Sequence, residues 1–313
     1  MAIRRTRWPT TSLQPSTPTA WQYDEAQGAT DVKNWLSKRV ALKAVKGQAW
    51  APRWWAVFLI GLALWGAAVG SVFVTGDIIV LPTVFLLGSF LVPVTAVVWY
   101  LDHDPSPVLS PSRIVTAFLV AGVLGLLAAA FLEYWLVYGP GLRGNLKVGL
   151  IEEFVKGVAI VALAMGLPSY TRRAGMVLGA TVGFGFAALE SSGYALAALL
   201  VVQGQHVTLS FSDVVVTELA RGVLAPFGHG MWSAILGGVI FYAFREGRVR
   251  LSWSVIVAYL GVSLLHGAFD IFGSVTAYIV ISIIGLVPLV YLWLRQDRGL
   301  PFTRRPQPAP VTA

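Results

Sequence analysis

Eight apolar segments, each close to the length that crosses a bilayer, constrain this chain more than any other feature. They run near residues 54–74, 78–101, 114–138, 146–167, 174–202, 213–244, 251–272 and 275–294, and a helix of about 20 residues spans the hydrocarbon core. Hydrocarbon offers no partner to a backbone N–H or C=O, so each segment must satisfy its own, which specifies helices over open sheet. The expected fold class is all-α, a polytopic membrane helical bundle of about eight transmembrane helices. Composition agrees: 56% of residues are hydrophobic and 12% charged, against roughly a quarter charged in soluble domains. The sixth segment is too long for one straight span. Gly222, Pro226 and Gly228 predict its division into a short outer helix and a spanning helix.

The segments divide the chain into a basic tail at 1–50, a transmembrane domain at 51–294 and a second tail at 295–313. Residues 1–30 are rich in Pro, Ser and Thr and are expected to be disordered. Residues 31–46 alternate Val32, Trp35, Leu36, Val40 and Val45 with five lysines and arginines. They read as an amphipathic helix on an anionic membrane surface, or equally as a solvated basic linker. Arg4, Arg5 and Arg7 are followed by no apolar run, so no cleavable signal peptide is expected.

The net charge of +8 does not indicate nucleic acid, because it forms no basic face. It marks orientation. Basic residues gather in both tails and in the loops around Arg113, Arg172–Arg173 and Arg245–Arg250, while the opposite side holds Arg143 and Lys147. This asymmetry places both termini in the cytoplasm of a multi-pass protein of the cell membrane. The chain has no cysteine, which excludes disulfides, thiolate metal sites and a cysteine nucleophile.

A carboxylate at membrane depth costs at least about 2.5 kcal/mol on insertion scales, so each one needs a partner or a purpose. Here they concentrate in four consecutive spans, a core at 146–272. These carry Glu152, Glu153 and Lys156; then Glu190; then Glu218, Arg221 and His229; then His266 and Asp270. Lys156 can pair with either glutamate at i,i+4 and i,i+3, and one ammonium cannot neutralise both, which suits a glutamate to general-base work on water. His266 and Asp270 are also i,i+4, so the Asp can orient the imidazole. Glu218 and Arg221 at i,i+3 read as a structural ion pair. Counting residues from the loops places Glu153 and His266 about two turns below the outer surface, within a water-accessible outer cavity.

These residues resemble the motif set of the PrsW family, relatives of the CAAX-protease and bacteriocin-processing membrane proteases. The glutamate pair with lysine appears as Glu152-Glu153-Phe154-Val155-Lys156, and the Phe-x-x-x-Glu pattern as Phe186 to Glu190, followed by Tyr194. The third-motif histidine is His229 in Pro226-Phe227-Gly228-His229, and the His-x-x-x-Asp pattern is His266 to Asp270. One departure is Ser191, where many relatives carry Asn. The resemblance covers about residues 146–272 and leaves the flanking spans outside.

It implies an intramembrane endopeptidase that hydrolyses a peptide bond of a single-pass membrane protein near the outer leaflet, with an anti-sigma factor as one such substrate. Its catalytic set would be Glu152, Glu153, Lys156, Glu190, His229, His266 and Asp270. Two mechanisms stay open. His229, His266 and Glu190 would ligate Zn²⁺ in one. In the other, a glutamate activates water and His266 with Asp270 stabilises the oxyanion; the absence of His-Glu-x-x-His tilts the reading to this metal-free form. Intramembrane Glu, Lys and His also build ion-coupled transporters, but paired broken helices and inverted repeats are not evident. A non-catalytic scaffold would have lost a motif residue, and none is lost.

Overall fold

The computed structural model describes residues 53–103, 108–139, 141–203, 206–245 and 248–295. The tail expectations for 1–46 and 296–313 lie outside the described residues. Helices α1 (Trp54–Thr75) and α2 (Leu81–His103) are joined by Gly76, in the left-handed region at φ 68°, and a 3-10 turn at Ile78–Val80. Helix α3 (Pro111–Leu136) contains a π-helical turn at Ala117–Ala121. Next come α4 (Leu142–Ala164) and α5 (Arg172–Leu199). A hairpin of β1 (Leu200–Gln203) and β2 (His206–Leu209) leads into α6 (Phe211–Leu224). A 3-10 turn at Ala225–Phe227 separates α6 from α7 (His229–Tyr242). The two-residue strands β3 (Phe244–Arg245) and β4 (Arg248–Val249) precede α8 (Trp253–Ile271) and α9 (Val275–Leu294).

Among the described residues, seven helical stretches are long and apolar enough to cross a membrane. Helix α4 has the length, at 23 residues, but carries Arg143, Lys147, Glu152, Glu153 and Lys156. It packs against α3, α5, α7 and α8, so the eight expected segments are the seven apolar stretches plus this charged helix. Helix starts follow local chemistry. Ser110 accepts from the Arg113 N–H with Pro111 in the first turn, Thr171 accepts from the Ala174 N–H, and Ser274 from the Ala277 N–H.

Three boundaries differ from the sequence reading. The sixth segment does break at Pro226 and Gly228, but Gly222 lies inside α6. Helix α5 stops at Leu199, where a run rich in β-branched residues, Val201, Val202 and Val207, pairs as an antiparallel hairpin instead of extending the helix. Helix α4 begins at Leu142, a full turn early, which sets Glu153 roughly 17 Å along it, near its middle.

Small residues fix how closely the core helices approach, as in membrane bundles generally. Two glycines matter to the site. A Cβ on Gly183 of α5 would run into the His229 carbonyl and lie 2.9 Å from Ser233 Oγ of α7. A Cβ on Gly149 of α4 would lie 2.8 Å from Gly267 N and 3.3 Å from His266 Cβ of α8. The first contact presses the start of α7 onto α5, and the second seats α8 on α4.

Candidate active site

Those contacts bring four helices together at one cluster. Lys156, fully buried on α4, has an ammonium with three N–H donors and three acceptors around it: Glu152 Oε2 at 3.0 Å, Glu153 Oε1 at 2.9 Å and His229 Nδ1 at 2.7 Å. Because an ammonium only donates, His229 Nδ1 accepts. The other ring nitrogen, Nε2, then carries hydrogen and faces Glu190 Oε2 at 2.9 Å. His266 shows the same two-sided arrangement. Its Nδ1 lies 3.1 Å from Glu153 Oε1, and its Nε2 lies 3.7 Å from Glu152 Oε2 and 3.4 Å from Asp270 Oδ2. All seven residues expected from the sequence therefore meet in one connected cluster.

Arg221 of α6 extends the network. It donates to Glu190 Oε2 at 2.6 Å and to Ser191 Oγ at 2.7 Å, and its guanidinium lies 4.1 Å over the Tyr194 ring. The Glu218–Arg221 ion pair expected from i,i+3 spacing is not formed. Glu218 instead accepts the Trp65 Nε1–H at 2.7 Å. Arg221 is the functional-site candidate that the sequence reading set aside, since its partner lies 31 positions away on another helix. Ser191, the departure from the usual Asn, supplies one of its acceptors.

Apolar rings enclose the cluster. Trp232 stacks on His266 with centroids 4.7 Å apart, and the Phe186 ring lies 4.1 Å from Lys156 Nζ. The other side opens into a cavity of about 550 Å³, lined by Glu190, Tyr194, Arg221, His229, Asp270 and Tyr278, among others. It lies at the end of the bundle where α5 and α8 finish and α4 and α9 begin.

The residues also fit a metal ion. Ligand atoms of Glu152, His229 and His266, all buried, lie within 4.8 Å of one another. Glu152 Oε2 is 3.7 Å from both His229 Nδ1 and His266 Nε2. Each imidazole thus turns one nitrogen to Glu152, while a second carboxylate, Glu190 or Glu153, holds the other nitrogen. That is the outer-shell arrangement of metal-ligating histidines. On His229 the nitrogen facing Glu152 is Nδ1, whose one lone pair accepts from Lys156 here, so a bound cation would take the ammonium's place on it. Four carboxylates (Glu152, Glu153, Glu190, Asp270) against two cations (Lys156, Arg221) leave a formal charge of −2 with neutral histidines, which a divalent cation would cancel. Glu153 Oε2 is buried with no hydrogen-bond partner among the described residues. The third ligand in this arrangement is Glu152; Glu190, expected from the sequence, stands behind His229.

Ionisable groups that can activate water, held between spanning helices and reached by a polar cavity, are the parts an intramembrane hydrolase needs. A profile of the PrsW family intramembrane metalloprotease matches residues 110–294, and the chain belongs to that family. The match includes α3 and α9, which the motif resemblance had left outside. Two proteins named Protease PrsW are similar to the chain. The one from Halalkalibacterium halodurans is 28% identical over 162 residues, covering 50% of this chain and 68% of the relative. The one from Geobacillus kaustophilus is 26% identical over 194 residues, covering 59% and 78%. No solved structure matches. The chain is therefore a multi-pass intramembrane protease.

Proposed function

We propose that this protease hydrolyses a peptide bond of a single-pass membrane protein at the cluster of Glu152, Glu153, Lys156, Glu190, His229, His266 and Asp270, near the outer leaflet. The observation that carries the proposal is the pair of imidazoles facing one carboxylate, each braced from behind by another. An anti-sigma factor is the substrate type that the motif resemblance suggests. The cavity lies at the bundle end opposite the basic Arg172–Arg173 loop, which supports an outward-facing site.

Glu152, His229 and His266 would hold a divalent cation such as Zn²⁺, and the metal-free preference of the sequence gives way to the donor geometry and the family's description. Bound there, the cation would acidify a water and polarise the scissile carbonyl. The chain's own groups do the rest. Glu153 and Glu190 orient the imidazoles, and Lys156 offsets the carboxylate charge. Trp232 and Phe186 keep bulk water from the buried side. Asp270, on the cavity wall 3.4 Å from His266 Nε2, is placed to pass a proton between the attacking water and the leaving amine.

The test is cleavage of candidate single-pass substrates by purified enzyme, with zinc measured in parallel. Stoichiometric zinc, lost in both His229→Ala and His266→Ala together with activity, is expected, and chelator should reproduce the loss. Glu152→Gln, which removes the third ligand, should lose the zinc and the cleavage together. Full activity in chelator with metal-free protein would overturn the metal assignment and leave Glu152 as the base acting directly on water. Near-normal cleavage by Glu152→Gln and Glu153→Gln alike would overturn the site.

A further inference from the structure

Glu218 sits on the catalytic side of the molecule without belonging to the cluster, and its surroundings are built around it. It is 4% exposed. One carboxylate oxygen accepts the Trp65 Nε1–H of α1, and the other is buried with no partner among the described residues. A Cβ on Gly88 of α2 would overlap the Glu218 carboxylate, so glycine makes the room it occupies. Phe58, Leu62, Leu91 and Val92 line the apolar pocket around it. Three residues along the same helix, Arg221 carries the bonds that hold Glu190 behind His229.

The spacing of Glu218 and Arg221 suits an ion pair on one helix face. A buried carboxylate deprived of its donor is costly and takes the nearest cation. The cation at that spacing is Arg221, which is engaged with Glu190 and Ser191, while Glu218 has the Trp65 donor.

We infer that Trp65 and Gly88 form a seat that keeps Glu218 away from Arg221, so that Arg221 stays on Glu190 and His229 stays in place. Trp65 and Gly88 are positioning residues for the proposed site, on which this inference rests, and Glu218 is the charge they restrain. Trp65 and Gly88 lie outside the residues that match the family profile. The first two helices thereby act on the reaction without lining the cluster.

The seat predicts a suppressor relation that a merely structural role would not produce. Trp65→Phe keeps an aromatic ring and removes the N–H. Its kcat should fall about tenfold, in the range found when outer-shell partners are lost, with KM nearly unchanged. Adding Glu218→Gln removes the charge that competes for Arg221, so the double variant should return to the kcat of Glu218→Gln alone. Gly88→Ala, which displaces the carboxylate by a different route, should show the same loss and the same recovery, and it serves if Trp65→Phe does not accumulate. Wild-type kcat in both Trp65→Phe and Gly88→Ala overturns the seat, as does a double variant no better than its Trp65→Phe or Gly88→Ala parent. Glu152→Gln is measured alongside. If it retains activity, the proposed site fails; if it is inactive while the suppressor relation is absent, only the seat fails.

Discussion

At the scale of single residues, Lys156 is the centre of the cluster. Its three donors meet Glu152, Glu153 and His229 with no exposure to solvent, so its removal leaves two buried carboxylates uncompensated. Lys156→Met should therefore destabilise the protein by about 3–5 kcal/mol, read as a lower midpoint of thermal unfolding in detergent. An unchanged midpoint would mean that the ammonium is not what holds the carboxylates. The i,i+3 and i,i+4 spacings made Lys156, Glu152 and Glu153 legible as a group, because partners on one helix can be read by counting. For the histidines counting reached only the partner on the same helix. The sequence shows Asp270 four residues after His266 and no acidic residue at that spacing from His229. In three dimensions Glu190 from α5 stands 2.9 Å from His229 and Glu153 from α4 3.1 Å from His266, so each histidine has an acidic partner that another helix brings.

At the scale of elements, the site depends on how closely helix backbones approach. Gly183 permits the contact of α5 with the start of α7, whereas Gly193, ten residues along the same helix, faces open space. Gly183→Ala should force the helices apart and cost activity, about 10²-fold for a displacement near 1 Å. Gly193→Ala should keep full activity and gain up to about 1 kcal/mol of helix stability. Paired measurements of cleavage and thermal midpoint check both, and equal activity in the two variants would count against the backbone contact. The break between α6 and α7 was readable from Pro226 and Gly228, since a missing N–H and a flexible residue act locally. The β1–β2 hairpin was not, because an apolar stretch such as Leu199–Val202 serves helix and strand alike until its partner is known.

At the scale of the whole molecule, the bundle sets a polar cavity at one end, and the loop charges are the ground on which the outer side is proposed for it. With no native cysteine, single substitutions report topology cleanly. Ser210→Cys, next to the hairpin, should react with an impermeant maleimide in intact cells. Ser169→Cys, between α4 and α5, should react only after permeabilisation. Reversed or equal reactivity would place the cavity on the other side and remove the outer-leaflet reading.

What the sequence determined by itself was the class of fold, the segments, and a set of seven ionisable residues that the fold brings into one cluster. Hydrocarbon length, the cost of buried charge and motif spacing all act along the chain and can be counted. Partner choice was decided only by the tertiary structure. Spacing alone joined Glu218 to Arg221, and the fold sent one to Trp65 and the other to Glu190. It likewise placed Glu152, and not Glu190, between the two histidines. Those pairings depend on helices 31 to 153 residues apart in sequence meeting where glycine lets them meet, and separations of that kind leave no periodic trace to read.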